Sequence, residues 1–327
     1  MSRRQLGHTF AEIIALENLL SAWGEFSKGK RHRKDVQEFE RRLMKNLITL
    51  HSDLFAKRYR HSAYEAFNIS DPKPRSIHKA SVRDRVLHHA IYRKLYPFFD
   101  RTFIADSYSC RNGKGTHKAM ERFRQFGFRV SRSNRRTGWV LKCDIRKFFA
   151  SIDQNVLLGI LSLYIPDEDI MWLLKKIIGS FYSTEPGKGL PLGNLTSQLL
   201  VNIYMNELDQ HVKHKLKAKY YIRYADDFVF FSDDRAWLEV LIPEVECFLT
   251  EILQLKLHPD KVFIRSLAHG VDFLGWVHFP DHCVLRTAMA RRIKRRLADD
   301  PQLATVQSYL GVLKHGNTQR LVAKIGC

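Results

Sequence analysis

Tyr220-Tyr221-Ile222-Arg223-Tyr224-Ala225-Asp226-Asp227-Phe228-Val229-Phe230-Phe231 sets two adjacent carboxylates between two apolar runs. Both runs are rich in aromatic and β-branched residues, so they read as strands meeting at a tight turn that presents Asp226 and Asp227. Paired aspartates on a rigid hairpin tip repel one another and lose hydration unless a cation compensates them, and oxygen-only ligands suit Mg²⁺. Asp-Asp is also ordinary turn chemistry, so the hairpin alone decides no function. A further carboxylate lies upstream in Trp139-Val140-Leu141-Lys142-Cys143-Asp144-Ile145, a buried-strand pattern that is almost continuously apolar until Asp144. A carboxylate at the end of a buried strand needs a partner. With this strand beside the hairpin, Asp144, Asp226 and Asp227 converge into a cluster able to hold two cations, the arrangement that serves in-line phosphoryl displacement.

Composition narrows the partner. The 327 residues carry 54 Lys and Arg against 34 Asp and Glu, a formal net charge of +20. Such an excess destabilises a compact fold by self-repulsion unless something anionic binds it, and nucleic acid is the commonest such ligand. No apolar run approaches the roughly 20 residues that span a bilayer. The N-terminus, Met1-Ser2-Arg3-Arg4-Gln5-Leu6-Gly7-His8, lacks the apolar core of a signal peptide. A soluble, intracellular chain without a membrane partner is expected. Cys110, Cys143, Cys247, Cys283 and Cys327 are odd in number and widely spaced, which indicates reduced structural thiols and neither a disulfide framework nor a zinc site.

Residues 9 to 23 show apolar positions at three- and four-residue spacing, an amphipathic helix, and a second helix is expected from about Val36 to Ala56. The basic loop Lys28 to Lys34 between them suits either solvent or phosphate. In Asp71-Pro72-Lys73-Pro74-Arg75-Ser76-Ile77-His78, alternation puts Lys73 and Arg75 on one face of an extended segment. Two neighbouring cations are complemented by an anion such as a triphosphate, although a solvated edge strand uses the same residues. Ser81 caps the next helix, whose stripe is Val82, Val86 and Ala90; the adjacent His88 and His89 point in different directions and read as surface or core histidines. The loop Gly187-Lys188-Gly189-Leu190-Pro191-Leu192-Gly193 leads into a helix with Leu199, Ile203 and Leu208 on its apolar side and Asn194 or Thr196 as cap. Its glycines would let a backbone approach a bound base or sugar.

Order and spacing together carry a resemblance. Lys73 and Arg75, Asp144 with Phe149 five residues on, Gly189-Leu190-Pro191-Leu192-Gly193, Tyr224-Ala225-Asp226-Asp227, Leu255-Lys256-Leu257-His258-Pro259-Asp260-Lys261 and Phe273-Leu274-Gly275-Trp276 resemble the motif series of reverse transcriptases, from about Asp53 to Trp276. Leu192-Gly193-Asn194-Leu195-Thr196-Ser197-Gln198 is similar to the signature of the reverse transcriptases of diversity-generating retroelements. Most other reverse transcriptases have glutamine where Leu192 stands.

The resemblance implies an α+β fold of the right-hand polymerase type, with fingers, an antiparallel-sheet palm and a helical thumb. Its divisions would be an N-terminal helical extension at 1–56, fingers and first palm elements at 57–138, palm at 139–286 with the loop and helix 187–215, and thumb at 287–327. Asp144, Asp226 and Asp227 would be the catalytic triad and, with the Ile145 carbonyl, would hold two Mg²⁺ ions, for which Mn²⁺ could substitute; Asp227 would play the lesser part. Lys73 and Arg75 would clamp the incoming deoxynucleoside triphosphate, Phe149 would exclude a ribose 2′-hydroxyl, and Leu192 and Gln198 would shape the pocket around the nascent base pair. Lys261 and Gly275 would hold the primer end, and Arg291, Arg292, Lys294, Arg295 and Arg296 the duplex backbone.

The implied activity is copying of a retroelement template RNA into cDNA, error-prone opposite adenine because Leu192 lacks the polar groups of the usual glutamine. The implied partners are the template RNA, the cDNA/RNA hybrid and a small basic accessory protein, in a cytoplasmic, bacterial or phage-encoded setting. An RNase H or endonuclease domain of usual size is not expected within these 327 residues. Alternatives remain: a reverse transcriptase of a phage-defence, retron or group II intron system, or an idle polymerase-like RNA-binding protein.

Overall fold

The computed structural model describes residues 4–70, 74–299 and 302–323. Helices α1 (Phe10–Ile14), α2 (Leu16–Ser27), α3 (Lys34–Glu40) and α4 (Leu43–Phe55) precede strands β1 (Glu65–Ile69) and β2 (Arg75–Lys79) and the long helix α5 (Val82–Asp100). Then come α6 (Thr116–Val130), β3 (Trp139–Asp144), α7 (Phe148–Ser151), α8 (Gln154–Ser162), α9 (Glu168–Ile178) and α10 (Leu195–His214). The hairpin β4 (Tyr221–Tyr224) and β5 (Asp227–Ser232) is followed by α11 (Arg235–Glu251), β6 (Phe263–Ser266), β7 (Val271–Phe273), β8 (Trp276–His278) and β9 (Cys283–Leu285). Helices α12 (Thr287–Asp299), α13 (Leu303–Leu313) and α14 (Gln319–Ala323) complete the described chain. The fold is mixed α+β, with antiparallel sheets ordered β4-β5-β3-β6, β7-β8-β9 and β1-β2. Among the described residues no helix is long and apolar enough to cross a membrane.

Two compact units divide the chain. The first takes the described residues up to Ile104 with Ile145–His211 and Cys247–Lys256; the second takes Ala105–Asp144, Val212–Glu246 and the described residues from Leu257 onward.

In the first unit, α1 opens on a capping box: Thr9 Oγ1 accepts from the Glu12 amide, and the Glu12 carboxylate accepts from the Thr9 amide. The helix expected over residues 9 to 23 is two helices, because Ala15 (φ −49°, ψ 137°) turns the chain between α1 and α2. Asn18 satisfies the carbonyl freed by that break. Its Nδ2 donates to the Ile13 carbonyl at 2.7 Å and to the Ala90 carbonyl of α5 at 3.1 Å, so the Ile13 carbonyl keeps a partner across the break. The second expected helix is likewise split, into α3 and α4 at Arg42 (ψ 35°). Ser81 caps α5 by accepting from the Asp84 amide, and Val82, Val86 and Ala90 are buried on its stripe.

Two of the glycines before α10, Gly189 and Gly193, pack closely against protein. Gly193 has φ +103°, and a Cβ there would lie 2.9 Å from the Ile77 side chain of β2. The Leu192 carbonyl accepts from the His78 amide at 3.0 Å, and Asn194 Nδ2 donates to the His78 carbonyl at 2.9 Å, so residues 192–194 pair with β2. Asn194 thus spends its side chain on β2.

In the second unit α6 packs its apolar stripe, Ala119, Phe123, Phe126 and Val130, on one face of the four-stranded sheet. That face supplies Val140, Ile222, Val229 and Phe231, and Val271 and Phe273 of β7 join the same core. The opposite-facing Leu141, Cys143, Tyr221, Phe228 and Phe230 are buried as well, which explains why these strands are apolar on both faces.

Candidate active site

The second unit assembles the carboxylates. Antiparallel pairing of β3 with β5 sets Asp144 opposite Asp227, and pairing of β4 with β5 sets Tyr224 on the other side of Asp227. Ala225 and Asp226 form the two-residue turn between β4 and β5, with Ala225 in the left-handed region at φ +56°. Directly opposed residues share a sheet face, so Asp144 and Asp227 project together.

Each of the two has a lysine. Lys261 Nζ lies 2.9 Å from Asp144 Oδ1, and Lys142 Nζ lies 3.2 Å from Asp227 Oδ2. Lys142 also donates to the Asp272 carbonyl at 2.8 Å. Burial pushes the Asp227 carboxyl up to about 7 against the pull of Lys142, and the charges of Asp144 and Asp226 push the same way.

Donor chemistry here fits a hard cation, since Asp227 Oδ1 is buried without a hydrogen-bond partner and the neighbouring donors are carboxylates. The sheet register pairs Asp144 with Asp227, and Asp226 precedes Asp227 in the adjoining turn. Among the described residues, however, no three His, Cys, Asp or Glu side chains gather as a ready set of metal ligands. Asp144 and Asp227 are instead turned onto Lys261 and Lys142.

The first unit collects most of the residues expected around a nucleotide. Arg75 is exposed at the start of β2; Lys73 lies outside the described residues. Phe149 is half-buried on α7 with its ring edge-on to Phe148, and its carbonyl accepts from the Leu190 amide at 2.8 Å. Leu192 and Gln198 are both half-buried, and Ile145 is buried.

A cleft of about 400 Å³ opens in the same unit. Lys30, Arg33, Lys79 and Arg85 line it together with Phe26, Phe67, Ile77, Asn194 and Gln198. The basic loop after α2 therefore contributes to a cationic concavity. Burial, helped by Arg85 and Arg33, lowers the Lys30 ammonium from its usual value, as expected for a cation crowded by like charges.

A family model described as reverse transcriptase (RNA-dependent DNA polymerase) matches residues 70–278, which contain all of these residues except the basic loop, Phe26 and Phe67. The chain belongs to the reverse transcriptase family. Protein YkfC of Escherichia coli is 26% identical over 246 residues, covering 63% of this chain and 63% of that protein. The group II intron-encoded protein LtrA of Lactococcus lactis subsp. cremoris is 22% identical over 334 residues, covering 80% of this chain and 54% of that one. The putative COX1/OXI3 intron 2 protein of Saccharomyces cerevisiae is 23% identical over 199 residues, with 42% and 23% covered. The reverse transcriptase chain thus spans less than two thirds of the length of each of these relatives. Among solved structures, apo telomerase of Candida tropicalis, truncated from its C-terminal domain, is similar in fold, with a TM-score of 0.50 and 12% identity over 74% of this chain and 60% of that one.

The other expected residues of this reverse transcriptase are placed as follows. Leu274 (φ +53°) and Gly275 (φ +86°) form the two-residue turn between β7 and β8, the left-handed pair that a type I′ hairpin requires. The Gly275 carbonyl accepts from the Arg286 amide at 3.1 Å. On α12, Ile293 is buried while Arg291, Lys294, Arg295 and Arg296 are exposed and Arg292 is half-buried.

Two residues of the site escaped the sequence reading. Lys142 precedes Asp144 by two positions, and strand alternation alone puts both on one face. Arg223 is wholly buried in β4 and its Nη1 donates to the Ala225 carbonyl at 3.2 Å, bracing the turn that carries Asp226. An arginine among Tyr221, Ile222 and Tyr224 was the available signal, because a buried guanidinium requires acceptors.

Proposed function

We propose that this chain is an RNA-directed DNA polymerase of the right-hand type. In this reading residues 1–56 are a helical extension, 57–138 fingers and first palm elements, 139–286 palm and 287–327 thumb. The observation that carries it is the register of Asp144 with Asp227, with Asp226 in the adjoining turn, in a chain of the reverse transcriptase family. Asp144, Asp226 and Asp227, with the Ile145 carbonyl, would hold two Mg²⁺ ions or their Mn²⁺ substitutes. Such ions, when bound, activate the attacking oxygen and stabilise the leaving one.

The chain's own residues would supply binding and orientation. Lys73 and Arg75 neutralise the triphosphate of a deoxynucleotide, Phe149 packs against its sugar, and Leu192 and Gln198 flank the base pair. Lys261, Gly275 and the cations of α12 hold primer and template through backbone contacts that carry no sequence preference. Primer extension on an RNA template tests the assignment. Asp226→Ala should lower the rate at least about a hundredfold, roughly 2.7 kcal/mol of barrier. Activity that survives the substitution overturns the reading.

The biological setting has two readings. LtrA and the yeast protein are described as intron proteins, which supports an intron- or retron-type element. The segment Leu192 to Gln198 supports instead a diversity-generating element, with error-prone copying opposite adenine and a small basic accessory protein. A half-buried leucine there offers no polar group to the base pair. Leu192→Gln should therefore reduce misincorporation opposite adenine, read by sequencing the cDNA. An unchanged error spectrum removes the second reading and leaves the first.

A further inference from the structure

At the end of the β4–β5 ladder away from Asp226 lies a second basic cleft, contained in the second unit. Five residue steps separate Asp227 from Ser232 along β5, about 17 Å of extended strand. Ser232 borders a cleft of roughly 340 Å³ lined by Arg129, Arg132, Lys217 and Lys219 with the aromatic rings of Tyr220 and Trp237. Asp233 is the one carboxylate among the described lining residues. It faces Arg132 at 4.0 Å, with both side chains at least half exposed, a pairing that water screens.

The cations come from separate segments. Arg129 stands in the last turn of α6, where a cation is already favoured by the helix dipole and needs no further ligand. That account does not reach Arg132, Lys217 or Lys219. Arg132 (φ +49°), Ser133 (φ +61°) and Asn134 (φ +64°) are three successive left-handed residues, and Lys217 (φ +54°) is another. Only asparagine among these types takes that conformation readily. The strained turn is nonetheless held: the Ser133 amide donates to the Phe128 carbonyl at 2.8 Å and the Asn134 amide to Ser131 Oγ at 3.0 Å. Two of the four cations thus stand on unfavourable backbone, that of Arg132 held in place, and Arg135 and Arg136 of the same loop are also exposed.

Four cations around one screened carboxylate repel until an anion joins them, and the half-buried Trp237 ring beside them offers a stacking face. Cations with aromatic rings are the footprint of single-stranded nucleic acid. We propose that this cleft is a second RNA site, taking the phosphate backbone and an unpaired base of a single-stranded stretch outside the primer–template. It rests on the polymerase reading only for the choice of RNA as the nucleic acid. A basic protein is excluded by charge.

The full chain carrying Arg132→Ala, Lys217→Ala and Lys219→Ala tests the site. Extension of a short primer–template should stay within about twofold of wild type, while affinity for a long single-stranded RNA falls about tenfold. The slope of log affinity against log salt should shrink by about 2, three lost phosphate contacts at roughly 0.7 each. Unchanged affinity and slope overturn the proposal, and so does a cleft that answers only to an acidic protein. Should the triple variant lose extension, photo-crosslinking of RNA to wild type decides: crosslinks in 129–136 and 217–220 support the site, and their absence overturns it. Wild-type protein that binds the long RNA through this cleft but extends no primer would sink the polymerase reading and leave the site standing.

Discussion

Lys142 shows how much one side chain carries at this centre. Its ammonium neutralises Asp227 and is anchored on the Asp272 carbonyl, so it links the β4–β5 hairpin to β7. Removing one partner of a largely buried pair leaves the other charge stranded. Lys142→Met should lower unfolding free energy by about 3 kcal/mol in denaturant titrations. The double variant with Asp227→Asn should cost clearly less than the sum of the single ones. Additive costs would show that the two side chains are not coupled. The pair was legible in part, because strand alternation put Lys142 beside Asp144. Its bond to Asp227 depended on the pairing of β3 with β5, which no local pattern specifies.

At the scale of the element, α5 carries a buried polar network. Asp84 accepts from Tyr59 Oη at 2.8 Å, from the Ser62 amide at 3.0 Å and from Ser81 Oγ at 2.6 Å. One turn on, His88 is buried with its Nε2 3.3 Å from His61 Nε2, and burial lowers its pKa to about 3. Between about 3 and 6.5 the unfolded chain binds a proton that the folded chain refuses, so the stability held above pH 6.5 is lost as pH falls. Denaturant titrations should lose about 2 kcal/mol from pH 6.5 to 5, and His88→Gln should flatten that fall. An equal fall in the variant would acquit His88. Sequence patterning placed the start of α5, β3 and the β4–β5 hairpin closely. It ran α1 into α2 and α3 into α4, because the apolar stripe continues through both breaks without Gly or Pro. What turns the chain at Ala15 is Asn18 reaching a carbonyl of α5, a contact 72 residues away in sequence.

For the molecule as a whole, a net charge of +20 makes stability conditional on anions. Heparin or RNA should raise the melting temperature at low salt, by about 1.4 kcal/mol for each tenfold excess over its dissociation constant, and the gain should vanish at high salt. A melting point indifferent to polyanion would mean that the cations are balanced within the fold. The two units also constrain how the chain is made. The first unit draws on residues before Ile104, on Ile145–His211 and finally on Cys247–Lys256. On a ribosome moving at 5–20 residues per second, its last segment is polymerised roughly 8–30 s after its first. Apolar surface awaiting that segment stays open over this interval, which makes the nascent chain a substrate for chaperones, and the interleaving of the two units rules out producing either as a simple truncation.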